Sequence, residues 1–243
     1  MALNRDSKMK VGIMQPYFFP YIGYFQLINV VDRFILFDDV QYIRHGWINR
    51  NKILKPVEGQ QYIQMPLAPH NRDTLIKNIN VKDGNEWKEK ILRQIEHYKK
   101  KAPFYPQVCR LLMQCFESTE PNIARLNGFF LARVLNYLGI DFKIEISSTM
   151  NFDYSNVNDA GEWALRISEQ LGASEYINPP GGIAIFEKIK FEKSNIKLSF
   201  IHPLFKEYSQ HRSTFEPGLS IIDVLMFNSP QLVLDLLNDY TIT

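Results

Sequence analysis

Residues 11–28 constrain the fold of this chain more than any other stretch. They begin as a short apolar run, continue through a loop with two prolines and several aromatic residues, and then take up a helical pattern that opens at Gly23. A strand that leads directly into a helix is typical of α/β folds, in which ligands bind at the carboxyl ends of strands. Helix N-termini at that edge attract phosphate groups. The polar Gln15 among these aromatic residues indicates a binding site, and an aromatic corner of the core is the alternative.

The rest of the chain alternates between strand and helix patterns, which predicts an α/β fold with a parallel, Rossmann-like sheet. The predicted strands are 10–14, 33–37, 61–65, 77–81, 142–146, 176–178 and 197–201, and the predicted helices at the two ends are 21–30, 159–171 and 220–237. Between them, residues 86–138 have the apolar spacing of helices. We therefore expect a single α/β domain over residues 9–243, in which residues 85–120 form a helical insertion or a lid.

Composition excludes several classes of protein. The 243 residues are 45% apolar, enough for a sizeable core, and the net charge of +2 argues against a DNA-binding protein or a general polyanion binder. No apolar run approaches the ~18 residues of a membrane-spanning helix. Residues 1–10 are polar and carry no secretory signal. The second methionine, Met9, makes the residues before it resemble a leader or an extension. Cys109 and Cys115 have no disulfide or metal spacing, so free thiols in a cytoplasmic protein are expected.

An acidic pair, Asp38 and Asp39, ends the predicted strand 33–37. Adjacent residues of a strand face opposite ways, so we expect at most one of these carboxylates in a given cleft. A single carboxylate there is suited to binding Mg²⁺, to orienting a substrate amine, or to acting as a base. Acids that bond the nearby backbone are the alternative.

A basic segment follows at residues 42–52, which we interpret as a loop. It contains Arg44, His45, Trp47, Asn49, Arg50 and Lys52. Guanidinium groups hold phosphates bidentately, and an aromatic ring stacks on a base, so the loop is predicted to bind a nucleotide diphosphate. His45 is placed to act as a base near neutral pH. A solvated basic loop anchored by Trp47 is the alternative.

Two later segments also follow predicted strands. Gly181 lies in a Pro-Pro-Gly-Gly stretch that allows close backbone approach to an anion, although a plain turn explains it equally well. His202 follows the last predicted strand, where sites form. No metal-ligand spacing, nucleophile elbow, P-loop or dinucleotide fingerprint is present, so the sequence identifies neither a metal site nor a cofactor.

Five sequence strings resemble the WbqC-like family, whose members are often encoded in bacterial gene clusters for surface polysaccharides. The strings are Gln15-Pro16-x-Phe18-x-Pro20-x-x-Gly23-Tyr24-Phe25, Phe37-Asp38-Asp39-Val40-Gln41-Tyr42, Trp47-x-Asn49-Arg50-Asn51-Lys52, Tyr176-x-x-Pro179-x-Gly181 and Leu219-Ser220-Ile221-x-Asp223. They extend over nearly the whole chain. The resemblance implies a role in polysaccharide biosynthesis.

A wider resemblance points to nucleotidyltransferase-like α/β proteins. Residues 20–24 stand where those proteins carry proline and an HxGH signature, but Tyr21 and Tyr24 replace both histidines. Ser147 and Ser148 are similar to their second, serine-rich phosphate signature, without the basic residue that follows it there. This resemblance implies a core that kept its pocket and changed its chemistry.

These observations favour a transferase that acylates or aminoacylates a nucleotide-linked amino sugar in O-antigen biosynthesis, using an activated acyl or aminoacyl donor. An ATP-dependent ligase or nucleotidyltransferase-like enzyme, and a non-catalytic binding protein of polysaccharide assembly, are the alternatives, and a homodimer is compatible with the aromatic content. The candidate catalytic residues are Asp38, Asp39 and His45. The candidate binding residues are Gln15, Pro20, Gly23, Tyr24, Arg44, Trp47, Asn49, Arg50, Ser147, Ser148, Gly181 and His202. We expect Gln15, Pro20, Gly23, Asp39, Arg44, Asn49 and Arg50 to converge on one cleft.

Overall fold

The computed structural model describes residues 8–243, so residues 1–7, which belong to the predicted extension, lie outside the described part of the chain. The strands are β1 (Lys10–Met14), β2 (Arg33–Leu36), β3 (Arg50–Leu54), β4 (Gln60–Gln64), β5 (Ile144–Ile146), β6 (Glu175–Asn178), β7 (Lys197–Pro203) and β8 (Tyr240–Ile242). The helices are α1 (Ile22–Val30), α2 (Glu86–Ile95), α3 (Tyr105–Phe116), α4 (Ile123–Tyr137), α5 (Glu162–Leu171), α6 (Lys188–Lys193), α7 (Ile221–Phe227) and α8 (Pro230–Leu236).

Six strands form the central sheet, in the order β5-β2-β1-β6-β7-β8. All neighbours are parallel except β8, which runs antiparallel to β7. The chain builds outward from β1 through β2 to β5 and then returns to place β6 on the other side of β1. The direction of winding therefore reverses between β1 and β6, which confirms the Rossmann-like α/β fold.

Helices cover both faces of this sheet, because successive strand residues supply opposite cores. Phe34 and Leu36 enter the larger core with α1 and α4. Val11 and Ile35 enter the smaller core beneath α5 and α6. The strands are thus apolar on both faces, which is why β1 and β2 appear in the sequence as continuous apolar runs. No helix among residues 8–243 has the length and apolarity that a membrane span requires.

Several predicted elements differ from the structure. The predicted strand 77–81 is instead a short 3-10 turn, Ile76–Asn78, followed by isolated bridges. The predicted strand 61–65 exists as β4, but it pairs with β3 in a separate antiparallel hairpin. The predicted helix 220–237 is broken into α7 and α8, because Ser229 caps a new helix whose first residue, Pro230, lacks the N–H that a continuous helix needs.

The helical segment 85–120 contains α2 and α3, as its apolar spacing predicted. Helix α2 packs against β4, whereas α3 packs against α4 and α7. Their buried residues belong to the larger core. The segment therefore extends the core on one side of the sheet, and its interpretation as an insertion or lid stays a prediction.

Candidate functional site

A cleft of about 1220 Å³ lies at the carboxyl ends of four neighbouring strands of the sheet. Its lining includes Gln15 after β1, Phe37 after β2, Asn178 at the end of β6 and His202 near the end of β7. The strands β1 and β6 flank the point where the winding reverses, which is where open α/β sheets bind ligands. Another cavity, of about 20 Å³ beneath Tyr208, has room for little more than a water molecule.

Aromatic rings and amides make the lining of the large cleft. Within residues 8–243, that lining includes no Lys, Arg, Asp or Glu side chain. Its aromatic members are Tyr17, Tyr21, Phe37, Trp47, Trp163, Tyr176, Phe186 and Phe205, and its polar members besides the tyrosines are Gln15, Gln41, Asn51, Asn178 and His202. Such a surface suits the flat faces of bases and sugars, with a few polar groups for orientation.

Some polar side chains of the lining are hydrogen-bonded within the protein, and others have unpaired polar atoms. Asn178 accepts a hydrogen bond from the Tyr176 hydroxyl, at 2.7 Å, and donates to the Pro179 carbonyl, at 2.7 Å. The side-chain amide of Gln15 and the hydroxyls of Tyr17 and Tyr21 make no hydrogen bond to another described residue. These three groups are available to a ligand, together with the Gln41 side-chain carbonyl and one nitrogen of His202.

The loop after β1 is held by buried amide side chains that bond its carbonyl groups. Asn127 donates to the Pro16 carbonyl at 2.9 Å, and Asn51 donates to the carbonyls of Phe18 and Phe19 at 3.0 and 2.8 Å. Phe19 has a φ of 39°, in the region that non-glycine residues rarely adopt. These bonds hold a strained backbone beside the cleft, as is common at functional sites.

The sequence patterns did not indicate that Asn51 and Asn127 hold this loop beside the cleft. Asn51 lies within the string Trp47-x-Asn49-Arg50-Asn51-Lys52, which was interpreted through its charges. Asn127 is a polar residue on a buried face of α4, at 2% exposure. A buried amide in an apolar helix is the signal that was available, because such a group needs hydrogen-bond partners.

At the start of α1, two rings pack closely against Gly23. A Cβ atom built on Gly23 lies 2.3 Å from the Tyr21 ring and 2.6 Å from the Pro203 ring. Gly23 therefore has no room for a side chain and lies outside the cleft lining, and a phosphate approach to it stays a prediction. Tyr24 is buried, and its hydroxyl donates to the Gln15 carbonyl at 2.8 Å. Burial raises the pKa of Tyr24 well above its ordinary value, so it serves as a support for the loop.

The acidic pair is also arranged differently from the expectation that its carboxylates face opposite ways. The Ser147 hydroxyl lies 2.9 Å from Asp38 Oδ1 and 2.7 Å from Asp39 Oδ2, so the two carboxylates converge. Strand β2 ends at Leu36, so the alternation rule no longer applies to them. The Ser148 hydroxyl donates to Asp38 Oδ2 at 2.7 Å. The two carboxylates and the two serine hydroxyls are thus hydrogen-bonded within this cluster, and none of the four side chains lines the cleft.

Asp39 has further partners. Lys77 forms an ion pair with its Oδ1 at 2.9 Å, and the Tyr154 hydroxyl donates to its Oδ2 at 2.9 Å. Burial raises the pKa of the Asp39 carboxyl, but the hydrogen bonds from Ser147, Lys77 and Tyr154 outweigh it and leave that pKa below its ordinary value. Asp39 is therefore a charged anchor behind the cleft wall.

The segment 42–52 was interpreted as one flexible loop, but its last residues form β3. Asn49 is buried between the Tyr42 hydroxyl and the Met65 carbonyl. Arg50 donates to the carbonyls of His45 and Gly46, and its guanidinium stacks on Tyr62 at 4.4 Å. Both side chains therefore bond groups within the protein. Arg50 lies in β3 and Asn49 directly precedes it, and the pairing of β3 with β4 holds them in place.

The expected convergence is therefore partial. Of the seven residues expected to converge, Gln15 and Pro20 line the cleft, as do the further candidates Trp47, Gly181 and His202. Gly23, Tyr24, Asp38, Asp39, Arg44, His45, Asn49, Arg50, Ser147 and Ser148 lie outside its lining. Arg44 and His45 are exposed and lie between Ile43 and Trp47, which line the cleft, so ligand contact by the basic segment stays a prediction.

Comparison with known proteins agrees with the fold and the motifs. The model of the WbqC-like protein family matches residues 15–234. The chain is 31% identical over 221 residues to the uncharacterized protein Rv1507c of Mycobacterium tuberculosis, an alignment that covers 90% of this chain and 93% of the relative. No solved structure gives a significant match.

Proposed function

The chain belongs to the WbqC-like protein family, and from that premise we propose that it is a transferase that acylates or aminoacylates an amino sugar carried on a nucleotide, in the biosynthesis of a bacterial O-antigen. The observation that carries this proposal is the large, uncharged, aromatic cleft at the reversal point of the sheet. Its rings suit the base and sugar faces of such a substrate, and the basic segment 42–52 at the rim suits a diphosphate.

His202 is the base that this proposal favours. It is the one imidazole in the described lining of the cleft, and its Nε2 lies 3.0 Å from the Thr243 hydroxyl, which leaves Nδ1 without a protein partner there. Histidine is suited to proton transfer near neutral pH. By contrast, Asp38 and Asp39 are committed behind the cleft wall and His45 lies outside the lining.

The reaction needs one proton transfer and one exchange of bonds. The amine nitrogen of the sugar attacks the carbonyl carbon of an acyl or aminoacyl thioester or ester, and a C–N bond forms. The amine proton passes to His202 while the oxyanion develops, and the free Gln15 amide is placed to donate to that oxyanion. The C–S or C–O bond to the carrier then breaks, and the proton passes from His202 to the leaving thiolate or alkoxide.

The spacing of these two side chains is compatible with that step. Gln15 follows β1 and His202 lies in β7, with β6 between them. Two strand spacings separate them by ~10 Å at the backbone, and both residues line the same cleft. That gap leaves room for the reacting carbonyl and amine.

Calorimetry with dTDP- and UDP-linked amino sugars at millimolar concentration tests the binding part of the proposal. We expect saturable binding, and no binding to any of them contradicts the proposal. Mass spectrometry of the sugar nucleotide after incubation with acyl and aminoacyl thioesters tests the transfer. Binding without any acylated product would favour a non-catalytic binding protein instead.

His202→Gln and His45→Gln are matched variants for the identity of the base. We expect His202→Gln to lower kcat by 10²–10⁴-fold, the usual contribution of a general base, while binding is retained. His45→Gln should keep its rate, since His45 lies outside the lining. If His45→Gln loses activity and His202→Gln keeps it, the base lies in the basic segment 42–52 instead.

An ATP-dependent ligase is the second candidate, and it asks more of the same cleft, because a triphosphate carries more charge than the diphosphate of a nucleotide sugar and the described lining has no Lys or Arg side chain. Pyrophosphate release that depends on an added carboxylic acid would favour the ligase over the transferase.

A further inference from the structure

We propose that Phe37 and Trp163 form a stacking platform for the nucleobase of the substrate, and that Asp39 is a positioning residue that fixes this platform through Tyr154. The inference rests on the proposed function, since it names the part of the substrate that one end of the cleft binds. Nothing in the sequence motifs pointed to Trp163, which lies outside all five of the strings quoted above.

Three aromatic rings from separate parts of the chain meet at this end of the cleft. The Trp163 ring centre lies 5.4 Å from that of Phe37 and 4.7 Å from that of Tyr154, with interplanar angles of 51° and 58°. Phe37 and Trp163 line the cleft, whereas Tyr154 stands behind them. The tilted packing keeps the two lining rings from closing on each other, so ring surface remains open to a ligand.

The chemistry of this end suits a nucleobase better than a charged or strongly polar group. The lining residues close to these two in sequence are Val40, Ala160 and Ala164, and the polar Gln41 follows Val40. Gln41 donates to the Arg72 carbonyl at 2.8 Å, and its own side-chain carbonyl has no partner among the described residues. A base offers a π face to the rings and an N–H donor to that carbonyl.

The length of the cleft separates this platform from the proposed reacting centre. Phe37 follows β2 and His202 lies in β7, three strand spacings apart, or ~14 Å. In a nucleotide sugar the base and the sugar lie at opposite ends of the diphosphate. With the base on Trp163, the sugar amine is therefore carried toward His202.

A network of hydrogen bonds fixes the platform from behind. Asp39 Oδ2 accepts from the Tyr154 hydroxyl at 2.9 Å, and its Oδ1 pairs with Lys77 at 2.9 Å. Asp39 is 8% exposed, so these bonds are largely shielded from water. Because Tyr154 packs on Trp163, the carboxylate holds the ring without touching the ligand.

Intrinsic fluorescence of the full chain, titrated with UDP and dTDP, tests the platform. Trp47→Phe and Trp87→Phe together leave Trp163 as the only tryptophan. We expect both nucleotides to quench its emission. Trp163→Ala should weaken their binding at least tenfold by calorimetry, whereas Trp163→Phe should recover most of the affinity because a ring remains. Trp87→Phe alone is the control, since Trp87 packs on Phe116 away from the cleft.

The positioning role is tested by a double-mutant cycle. Asp39→Asn and Tyr154→Phe should each weaken UDP binding several-fold, and the double variant should lose no more than the larger single loss. Their affinity for inorganic pyrophosphate should equal that of the wild type, which a general loss of structure would not allow. Additive losses, or equal losses for pyrophosphate, would contradict the positioning role.

The outcomes separate this inference from the proposed function. If a nucleotide sugar binds but Trp163 emission is unchanged and Trp163→Ala binds as the wild type does, the platform is wrong and the function stands. If UDP quenches Trp163 but no sugar is ever acylated, the platform stands and the function is wrong. If the wild type binds neither UDP nor dTDP, the platform is overturned directly.

Discussion

Gly23 illustrates how one missing side chain shapes a wall of the cleft. The rings of Tyr21 and Pro203 lie where its Cβ atom would be. Gly23→Ala should displace both rings and lower the free energy of unfolding by about 1–3 kcal/mol, the usual cost of overpacking. Urea denaturation measures the change. Gly181→Ala is the control, because a methyl group there meets no atom within 4 Å and should change stability by less than about 0.5 kcal/mol.

Gly181 also allows a test of the cleft without damage to the fold. It lines the cleft, and a Cβ atom added there meets no atom within 4 Å. Its φ is not positive, so its backbone accepts a side chain. Gly181→Leu should therefore keep the melting temperature of the wild type while it weakens nucleotide-sugar binding at least tenfold, because the added side chain projects from the turn that borders the cleft. Unchanged affinity would mean that the ligand does not pass this turn.

At the scale of elements, the β3–β4 hairpin contributes Asn51 to the lining of the cleft although it lies outside the central sheet. Along β3, alternation turns Asn51 inward, to the carbonyls of Phe18 and Phe19, and turns Arg50 and Lys52 outward over Tyr62. The hairpin is thus attached to the loop after β1 by one buried amide. This explains how a basic sequence segment supplies a polar but uncharged side chain to the cleft.

Asn51→Ala should lower the free energy of unfolding by about 2–3 kcal/mol, since it leaves the Phe18 carbonyl and part of the bonding of the Phe19 carbonyl unsatisfied. It should also weaken ligand binding through the loop. Lys52→Ala, on the outer face of the same strand, is the matched control and should cost less than about 1 kcal/mol. Equal losses for the two variants, measured in urea, would show that the amide does not attach the hairpin.

At the scale of the whole molecule, Asp223 joins three distant segments. It is fully buried on α7 and accepts hydrogen bonds from Tyr98 at 2.6 Å, Tyr208 at 2.7 Å and Gln210 at 2.9 Å. Burial raises the pKa of its carboxyl to about 6, although these hydrogen bonds act in the opposite direction. The group ties the helical segment and the loop before α7 together, but its ionised form is disfavoured in the folded state.

The sign of the resulting pH dependence follows from proton binding. Between the ordinary pKa of 3.8 and about 6, the folded protein holds a proton on Asp223 that the unfolded chain has lost. The contribution of this group to stability therefore falls as the pH rises through that window and stays lower above it. A shift of about two pKa units corresponds to about 3 kcal/mol.

We expect the free energy of unfolding of the wild type to fall by about 2 kcal/mol, relative to that of Asp223→Asn, when the pH is raised from 4 to 7, since the unfolded carboxyl is still partly protonated at pH 4. Urea titrations of both proteins at the two pH values measure this difference. The exposed Asp235→Asn serves as the control for removal of a carboxylate. Parallel pH profiles of wild type and Asp223→Asn would contradict the assignment.

The sequence by itself determined the family and most of the local elements, although not β3, the segment 77–81 or the break between α7 and α8. Apolar runs and helical spacing predicted β1, β2, α1 and the helical segment, because these signals come from neighbouring residues and from the period of the backbone. Strings of adjacent residues carried the family resemblance, which the match over residues 15–234 confirms. The carboxyl edge as the place of the cleft also followed, since it depends only on strand direction.

Only the tertiary structure decided which side chains share that edge. Asp38 meets Ser147 across 109 residues of sequence, and Phe37 meets Trp163 through the packing of α5 on the sheet. Arg50 lies outside the cleft lining, because β3 pairs with β4 and brings its guanidinium onto Tyr62. Contacts of this kind depend on how every element packs against the others, and a side chain that finds a partner within the protein is no longer free for a ligand. The direction in which a polar side chain points is therefore settled by the whole fold, whereas its element is settled locally.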